Sequence, residues 1–141
     1  MTYQAETTPA VKATLIPESE RMNALPTFFG VRHMLMVEQA TYGSLSDMCH
    51  AYNGGLWDFY ALSNGGFYMA PATDQAFRLV VPGNGFDGSM SADAAGVVAS
   101  LVGINRALWA SGSEVLNSRF YQLREFALDH PENAQIFAAI D

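Results

Sequence analysis

Hydrophobic residues along the chain change period twice. Residues 34–52, MLMVEQATYGSLSDMCHAY, place Leu35, Tyr42, Leu45, Met48, Cys49 and Tyr52 at spacings of three, four and seven, which marks one face of a helix. Gly43 inside it costs about 1 kcal/mol against alanine, and Gly54 with Gly55 is expected to end it. Between positions 57 and 71 the period drops to two. The run NGGLWDFYALSNGGFYMAP repeats Asn-Gly-Gly around a segment dense in aromatics. Asn-Gly favours a two-residue type I′ turn. With Asn64 and Gly65 at the tip, Leu62 would face Phe67, Ala61 would face Tyr68 and Tyr60 would face Met69. One face then collects Asp58, Tyr60, Leu62, Phe67 and Met69, and the other collects Trp57, Phe59, Ala61, Tyr68 and Ala70. Both faces are apolar, so helices are expected to cover both, unless one is kept for a partner.

The flanking segments complete an outline. Residues 1–13 have no periodicity and read as a loose arm, with Leu15 and Ile16 free to pack. PESERMNAL from Pro17 reads as a short helix stopped by Pro26. AFRLVVP reads as a third strand limited by Pro82, and Phe86 to Met90 as a possible fourth after the Gly83-Asn84-Gly85 turn. Ser91 is a natural N-cap for a helix with apolar residues at 94, 97, 98, 101, 104, 108 and 109, closed by Gly112. Ser113 caps a further helix carrying Val115, Leu116, Phe120, Leu123 and Phe126 or Ala127, and Pro131 opens a last one ending near Asp141. The expected class is α+β: one domain over residues 1–141, with a small antiparallel meander of three or four strands packed with about five helices.

Composition narrows the function classes. The chain has 141 residues, half of them hydrophobic, which suits a single core and excludes a disordered protein. Fourteen acids against seven bases give a net charge of −7, which disfavours direct contact with nucleic acid or an anionic membrane. The first residues show no charged start followed by a long apolar core, and no stretch reads as a bilayer span, so a cytoplasmic location is expected. The single cysteine, Cys49, fits a reducing compartment and a structural role.

Candidate chemistry is sparse. GNGFDG at 83–88 matches G-x-G-x-x-G, but the dinucleotide fold needs that loop to enter a helix directly, with a parallel strand following. Cys49 and His50 point about 100° apart on a helix, so they form no nucleophile–base pair. His33, His50 and His130 have no metal-ligand spacing, and no cofactor is expected. Ser91 lies outside G-x-S-x-G and already has a capping role. Asp87 and Asp93 could meet in space. The acid excess suggests imitation of DNA, yet duplex as long as this domain carries about 20 phosphates, and the acids here form no run.

ERMNALPTFFG, YNGGLWDFYALSNGGFYMAP and VPGNGFDGSMSADAAG, in this order and spacing, resemble the ArdB/KlcA family of antirestriction proteins of plasmids and other mobile elements. The likeness runs from about Pro17 to Asp141; LSDMCHAY departs from the family's Leu-Ser-x-x-Tyr form. The resemblance implies a non-enzymatic role, blocking DNA cleavage by type I restriction and modification systems. The partner implied is the type I restriction-modification complex or an accessory host protein, met by a protein expected to be a monomer. The charge count favours contact through a defined patch over full DNA mimicry. Candidate contacts are Trp57, Tyr60, Phe67 and Tyr68 on the sheet, the 83–88 loop, and Asp87, Asp129, Glu132 and Asp141; the aromatics serve equally as fold determinants. The alternative is a small enzyme or ligand-binding domain with a pocket beside the glycine loop.

Overall fold

The structure, a computed structural model, describes residues 9–141. In chain order it has β1 (Ala13–Leu15), a 3-10 turn (Glu18–Glu20), α1 (Arg21–Phe29), α2 (Met34–Met48), β2 (Trp57–Leu62), β3 (Phe67–Pro71), β4 (Phe77–Val81), β5 (Phe86–Met90), α3 (Ala92–Ser111), α4 (Glu114–Leu128) and α5 (Asn133–Ile140). The α+β class with five α-helices stands. The strands divide into two antiparallel sheets, β1-β2-β3 and β4-β5, in place of one meander. Of the expected loose arm, residues 1–8 lie outside the described residues. Ala13 already belongs to a strand, pairing with Leu62, and Ile16 packs against the core while Leu15 stays exposed.

Helix α3 is the hub. Ser91 caps it, its hydroxyl oxygen accepting the Ala94 N–H at 3.1 Å, and Gly112 closes it in the left-handed region at φ 67°. Its first half, Ala94 to Leu101, is buried all round, and its second half keeps an exposed face through Arg106, Trp109 and Ala110. By length and mean hydropathy it could cross a bilayer, contrary to the sequence expectation, but here it forms the centre of the core. Two glycines let it approach other backbone. A Cβ at Gly96 would sit 2.3 Å from the Ala70 Cβ, and one at Gly103 would sit 2.3 Å from Thr41 Oγ1 and 2.7 Å from Thr41 Cα. Between them, the Ser100 hydroxyl accepts the Met69 N–H and donates to the Met69 carbonyl, both at 3.1 Å. That hydroxyl stands in for a neighbouring strand along the outer edge of β3, where bare amide groups would otherwise be buried without partners. On the other side, Ser44 of α2 donates to the Ala99 carbonyl at 3.0 Å.

The hairpin register differs by one residue from the expected one. Ala61 pairs with Phe67, Tyr60 with Tyr68 and Phe59 with Met69. Only Gly65 takes a positive φ in the tip (95°), so a type I′ turn, which needs two such residues, is absent. The Leu62 N–H instead donates to Gly66 O at 2.8 Å and the Gly65 N–H to Leu62 O at 3.0 Å, giving a three-residue loop. Asn64 keeps negative φ because its side chain is committed: Oδ1 accepts the Gly66 N–H at 3.0 Å, and Nδ2 donates to Gln122 O of α4 at 2.9 Å. The slip moves all of β3 to the opposite face relative to β2. Trp57, Phe59, Phe67 and Met69 now share the face toward α1, where the Phe67 ring lies 5.1–5.5 Å from Phe28, Phe29 and Phe59. Tyr60 and Tyr68 stack on the other face at 4.7 Å, and Phe126 of α4 stacks on Tyr68 at 5.2 Å. Helices cover both faces.

Three helix expectations also shift. Pro26 lies inside α1, which runs on to Phe29. The interior proline costs about 3 kcal/mol, offset by burial of Leu25 and Phe29 at about 1.5–3 kcal/mol each. Helix α2 stops at Met48 because Cys49 turns to an extended backbone; Leu35 is exposed, and the buried stripe runs through Val37, Thr41, Ser44, Leu45 and Met48. Trp109, placed by periodicity in the core, is 83% exposed.

Gly96→Ala and Gly103→Ala are each expected to lower unfolding free energy by about 1–3 kcal/mol or more, since in both cases backbone atoms lie under 3.0 Å from the added carbon and cannot move aside. Gly43→Ala, with nothing within 4 Å of the added atom, is expected to raise it by about 0.5–1 kcal/mol. Urea titration of the three variants checks the contrast.

Candidate functional site

Two carboxylates converge on the start of α3. Glu132 reaches it from the α4–α5 junction: Oε1 accepts the Ser91 N–H at 2.9 Å, and Oε2 accepts the Ser91 hydroxyl. Asp93 lies in the first turn, where the positive end of the helix favours an anion. Its Oδ1 accepts the Tyr68 O–H at 2.7 Å, and its Oδ2 meets His130 Nε2 at 2.7 Å. His130 is buried, and its Nδ1 accepts the Glu132 N–H at 2.9 Å. A nitrogen that accepts carries no proton, so the proton sits on Nε2 and points at Asp93.

These bonds assign the charges. Burial pushes the Asp93 carboxyl upward, but hydrogen bonds from His130 and Tyr68 outweigh it and hold the group below the usual carboxylate range. Burial, then the bond to Asp93, raises the Tyr68 hydroxyl far above an ordinary phenol. Tyr60 is raised by burial and by the charges of Asp58 and Asp93. Asp93 is therefore the anion, between a phenol that keeps its proton and an imidazole held in one tautomer. Its side chain remains 42% exposed and opens onto a depression of about 330 Å³ that Asp58, Tyr60 and Asp74 also line. The free lone pairs of these carboxylates suit cationic donors. The nearby Ser91 hydroxyl is engaged on both sides, donating to Glu132 and accepting the Ala94 N–H.

The candidate contacts separate into groups. Trp57 and Tyr68 are each 2% exposed and Phe67 is buried, so these three serve the core; Trp57 donates to the Tyr52 hydroxyl at 2.9 Å. Tyr60 is half-buried at the depression, and Glu132 lies behind it as the cap of α3. Asp129 is exposed one residue before His130. Asp87 is elsewhere, on β5, forked onto Arg78 at 2.6 and 2.8 Å, so it does not meet Asp93. Asp141 lies beside the glycine loop in a second depression of about 390 Å³. Asn84 and Arg106 there are already engaged: Asn84 Nδ2 donates to Ala139 O at 2.9 Å, and Arg106 pairs with Asp47 at 3.2 Å. The loop enters β5, not a helix, as its rejection as a nucleotide cradle anticipated.

Sequence reasoning placed neither Asp58 nor Asp74 among the contacts, weighed His130 only as a metal ligand, and paired Asp93 with Asp87 instead of with His130. Asp93 and His130 are 37 positions apart with no local spacing to join them. A lone acid in an aromatic strand, Asp58, was the one available signal.

Comparison with known proteins gives a consistent picture. Residues 50–141 match the family model described as antirestriction protein. Antirestriction protein KlcA of Escherichia coli is 44% identical over 137 residues, covering 93% of this chain and 94% of the relative. Putative antirestriction protein YubI of Escherichia coli (strain K12) is 38% identical over 133 residues, covering 89% and 93%. A solved structure from work on KlcA and ArdB superimposes with a TM-score of 0.85 at 43% identity, over 99% of this chain and 100% of that one. Those proteins are described as showing a novel fold and antirestriction activity against type I DNA restriction systems in vivo but not in vitro.

Tyr68→Phe removes one donor to Asp93 and is expected to cost about 1–2 kcal/mol. Because the folded Asp93 carboxyl titrates below its unfolded value, its contribution is complete above about pH 5 and is lost as pH falls through the folded value. The stability gap between the parent and Asp93→Asn should therefore narrow from pH 6 toward pH 2, as followed by urea melts across that range.

Proposed function

The chain belongs to the antirestriction protein family, and from that premise we propose that it defends incoming DNA against type I DNA restriction systems by docking to a protein of the restricting cell. Identity of 44% across 93% of the chain and a TM-score of 0.85 support the role. This family is not a known enzyme class, which supports a non-catalytic action.

The observation that carries docking over mimicry is the disposition of charge. Asp87 and Asp47 are neutralised by Arg78 and Arg106, while Glu132 and part of Asp93 are turned into the start of α3. The acids left without a cationic partner among the described residues, including Glu18, Glu20, Asp74, Glu114, Glu125, Asp129 and Asp141, are exposed on separate segments of the chain, which supports scattered charge over a line at phosphate spacing, one per about 1.7 Å of duplex. Activity in vivo but not in vitro, as described for KlcA and ArdB, is what an action routed through a further cell component produces. The contact patch in this reading is the depression with Asp58, Tyr60, Asp74 and the open side of Asp93, with Asp129 nearby, and it takes a basic segment of the partner. Tyr60, held by its stack on Tyr68, loses little entropy on docking.

Unmodified phage plated on a restricting host measures this directly. The parent protein should restore plating efficiency. Asp58→Lys with Asp74→Lys should lose about tenfold or more of that protection, the scale of one to two close charge pairs, at unchanged melting temperature. Asp87→Asn should keep it. Full protection by the double variant would remove the patch, and no protection by the parent would remove the role.

A further inference from the structure

Three Asn-Gly pairs stand in the chain, at 53–54, 64–65 and 84–85. In this dipeptide the glycine nitrogen can close onto the asparagine side-chain carbon, Cγ, because no Cβ on the glycine hinders the approach. Closure needs several freedoms at once. The glycine N–H must be without a hydrogen-bond partner, the asparagine side chain must be free to turn, and Nδ2 must be free to leave.

The pairs at both hairpin tips are locked on every count. At the β2–β3 tip, the Gly65 N–H donates to Leu62 O at 3.0 Å, Asn64 Oδ1 accepts the Gly66 N–H at 3.0 Å, and Nδ2 donates to Gln122 O at 2.9 Å. The β4–β5 tip repeats the arrangement. There the Gly85 N–H donates to Val81 O at 3.0 Å, Asn84 Oδ1 accepts the Phe86 N–H at 3.0 Å, and Nδ2 donates to Ala139 O at 2.9 Å. These bonds have to open before the nitrogen can reach Cγ, so closure at both tips waits on local unfolding.

The first pair carries none of these restraints. Asn53 and Gly54 are exposed in the segment joining α2 to β2, and among the described residues neither the Asn53 side chain nor the Gly54 N–H makes a hydrogen bond. Beyond its chain neighbours, nothing lies within 4 Å of the place a Gly54 Cβ would take. The other four asparagines, Asn23, Asn105, Asn117 and Asn133, are in helical backbone, each followed by a residue that bears a side chain.

We propose that Asn53-Gly54 is the site at which this protein modifies itself, losing the Asn53 side-chain amide. The Gly54 nitrogen gives up its proton and bonds to Asn53 Cγ, the Cγ–Nδ2 bond breaks, and Nδ2 leaves as ammonia with that proton. Water then opens the succinimide ring at either carbonyl, leaving aspartate or, with the backbone rerouted through the side chain, isoaspartate. Either product adds one negative charge. Asn53 lines a hollow of about 190 Å³ that shares Pro71, Ala72 and Thr73 with the acidic depression, so the new carboxylate joins the acids on that side of the protein. This inference does not rest on the antirestriction reading, because its test follows a covalent change and not the protection of DNA.

The test uses purified full-length protein held at mildly alkaline pH, where hydroxide removes the amide proton more readily, with peptide mass mapping at intervals and a parallel sample unfolded in urea. In the folded protein, the amide-to-acid mass gain should appear at Asn53 at least about tenfold faster than at Asn64 or Asn84, the scale of opening one or two committed hydrogen bonds. In urea the rates at the three pairs should converge, since sequence neighbours alone then set them. Asn53→Gln, whose longer side chain disfavours the closure, should abolish the early acidic species on ion exchange and leave the melting temperature unchanged. Four results would overturn the inference: equal or faster gain at Asn64 or Asn84 in the folded protein; no gain at Asn53 while the unfolded sample reacts there; the same preference for Asn53 in urea; or persistence of the early acidic species in Asn53→Gln.

Discussion

Helix α3 touches backbone on two sides, and the arrangement of the other elements follows from that closeness. Gly96 admits the Ala70 backbone of β3, and Gly103 admits the Thr41 backbone of α2. Neither approach is possible with a side chain at those positions, because the first added carbon would overlap atoms that cannot move aside. Ser100 then satisfies the buried edge of β3, so a three-stranded sheet can end inside the protein without exposing amides to an apolar wall. Ser44 closes the α2 side in the same manner. Small and hydroxylated residues thus set how closely α3 approaches β3 and α2, while Leu101 and Ile104 fill its remaining buried surface.

Each sheet is tied back to a helix through the asparagine of its turn. Asn64 accepts the N–H two residues on and donates to Gln122 O of α4, while Asn84 accepts the Phe86 N–H and donates to Ala139 O near the end of α5. Arg119 adds a brace, its Nε donating to Phe28 O at 2.6 Å and its Nη1 to Gly65 O at 2.9 Å. The turns that stand out in the sequence are therefore anchors rather than free loops. Most of the aromatics between them are core residues that connect α1, the sheet and α4.

The carboxylates at the start of α3 gather there for a structural reason. Its capped start draws in Asp93 and Glu132, and the same end opens onto Asp58 and Asp74. Its other end meets the start of α2, where Arg32, His33 and Met36 face Ala110, Ser111 and Ser113 across a groove and exposed Glu114 follows Ser113. In the docking reading proposed above, the acidic patch orients a partner by local complementarity. A duplex mimic needs one uniform field along its length.

Secondary structure was legible wherever local chemistry decides it. The Ser91 and Ser113 caps, the Gly112 stop, the strand limit at Pro82 and the α+β class all follow from backbone preferences acting within a few residues. The family resemblance rested on the same turn-rich motifs. Register, element ends and site were decided at a distance. Asn64 could not be known to donate to α4, so its turn type and the face of every β3 side chain were assigned one residue off. Pro26 continues a helix because distant rings bury Phe29, and Trp109 lies outside because small residues fill the α3 interface. Asp93 and His130 form a pair only when the α4–α5 junction folds back onto α3. Sequence by itself determined what each segment can do with its near neighbours; which segments become neighbours is an outcome of packing, because a buried contact's energy depends on atoms from both sides.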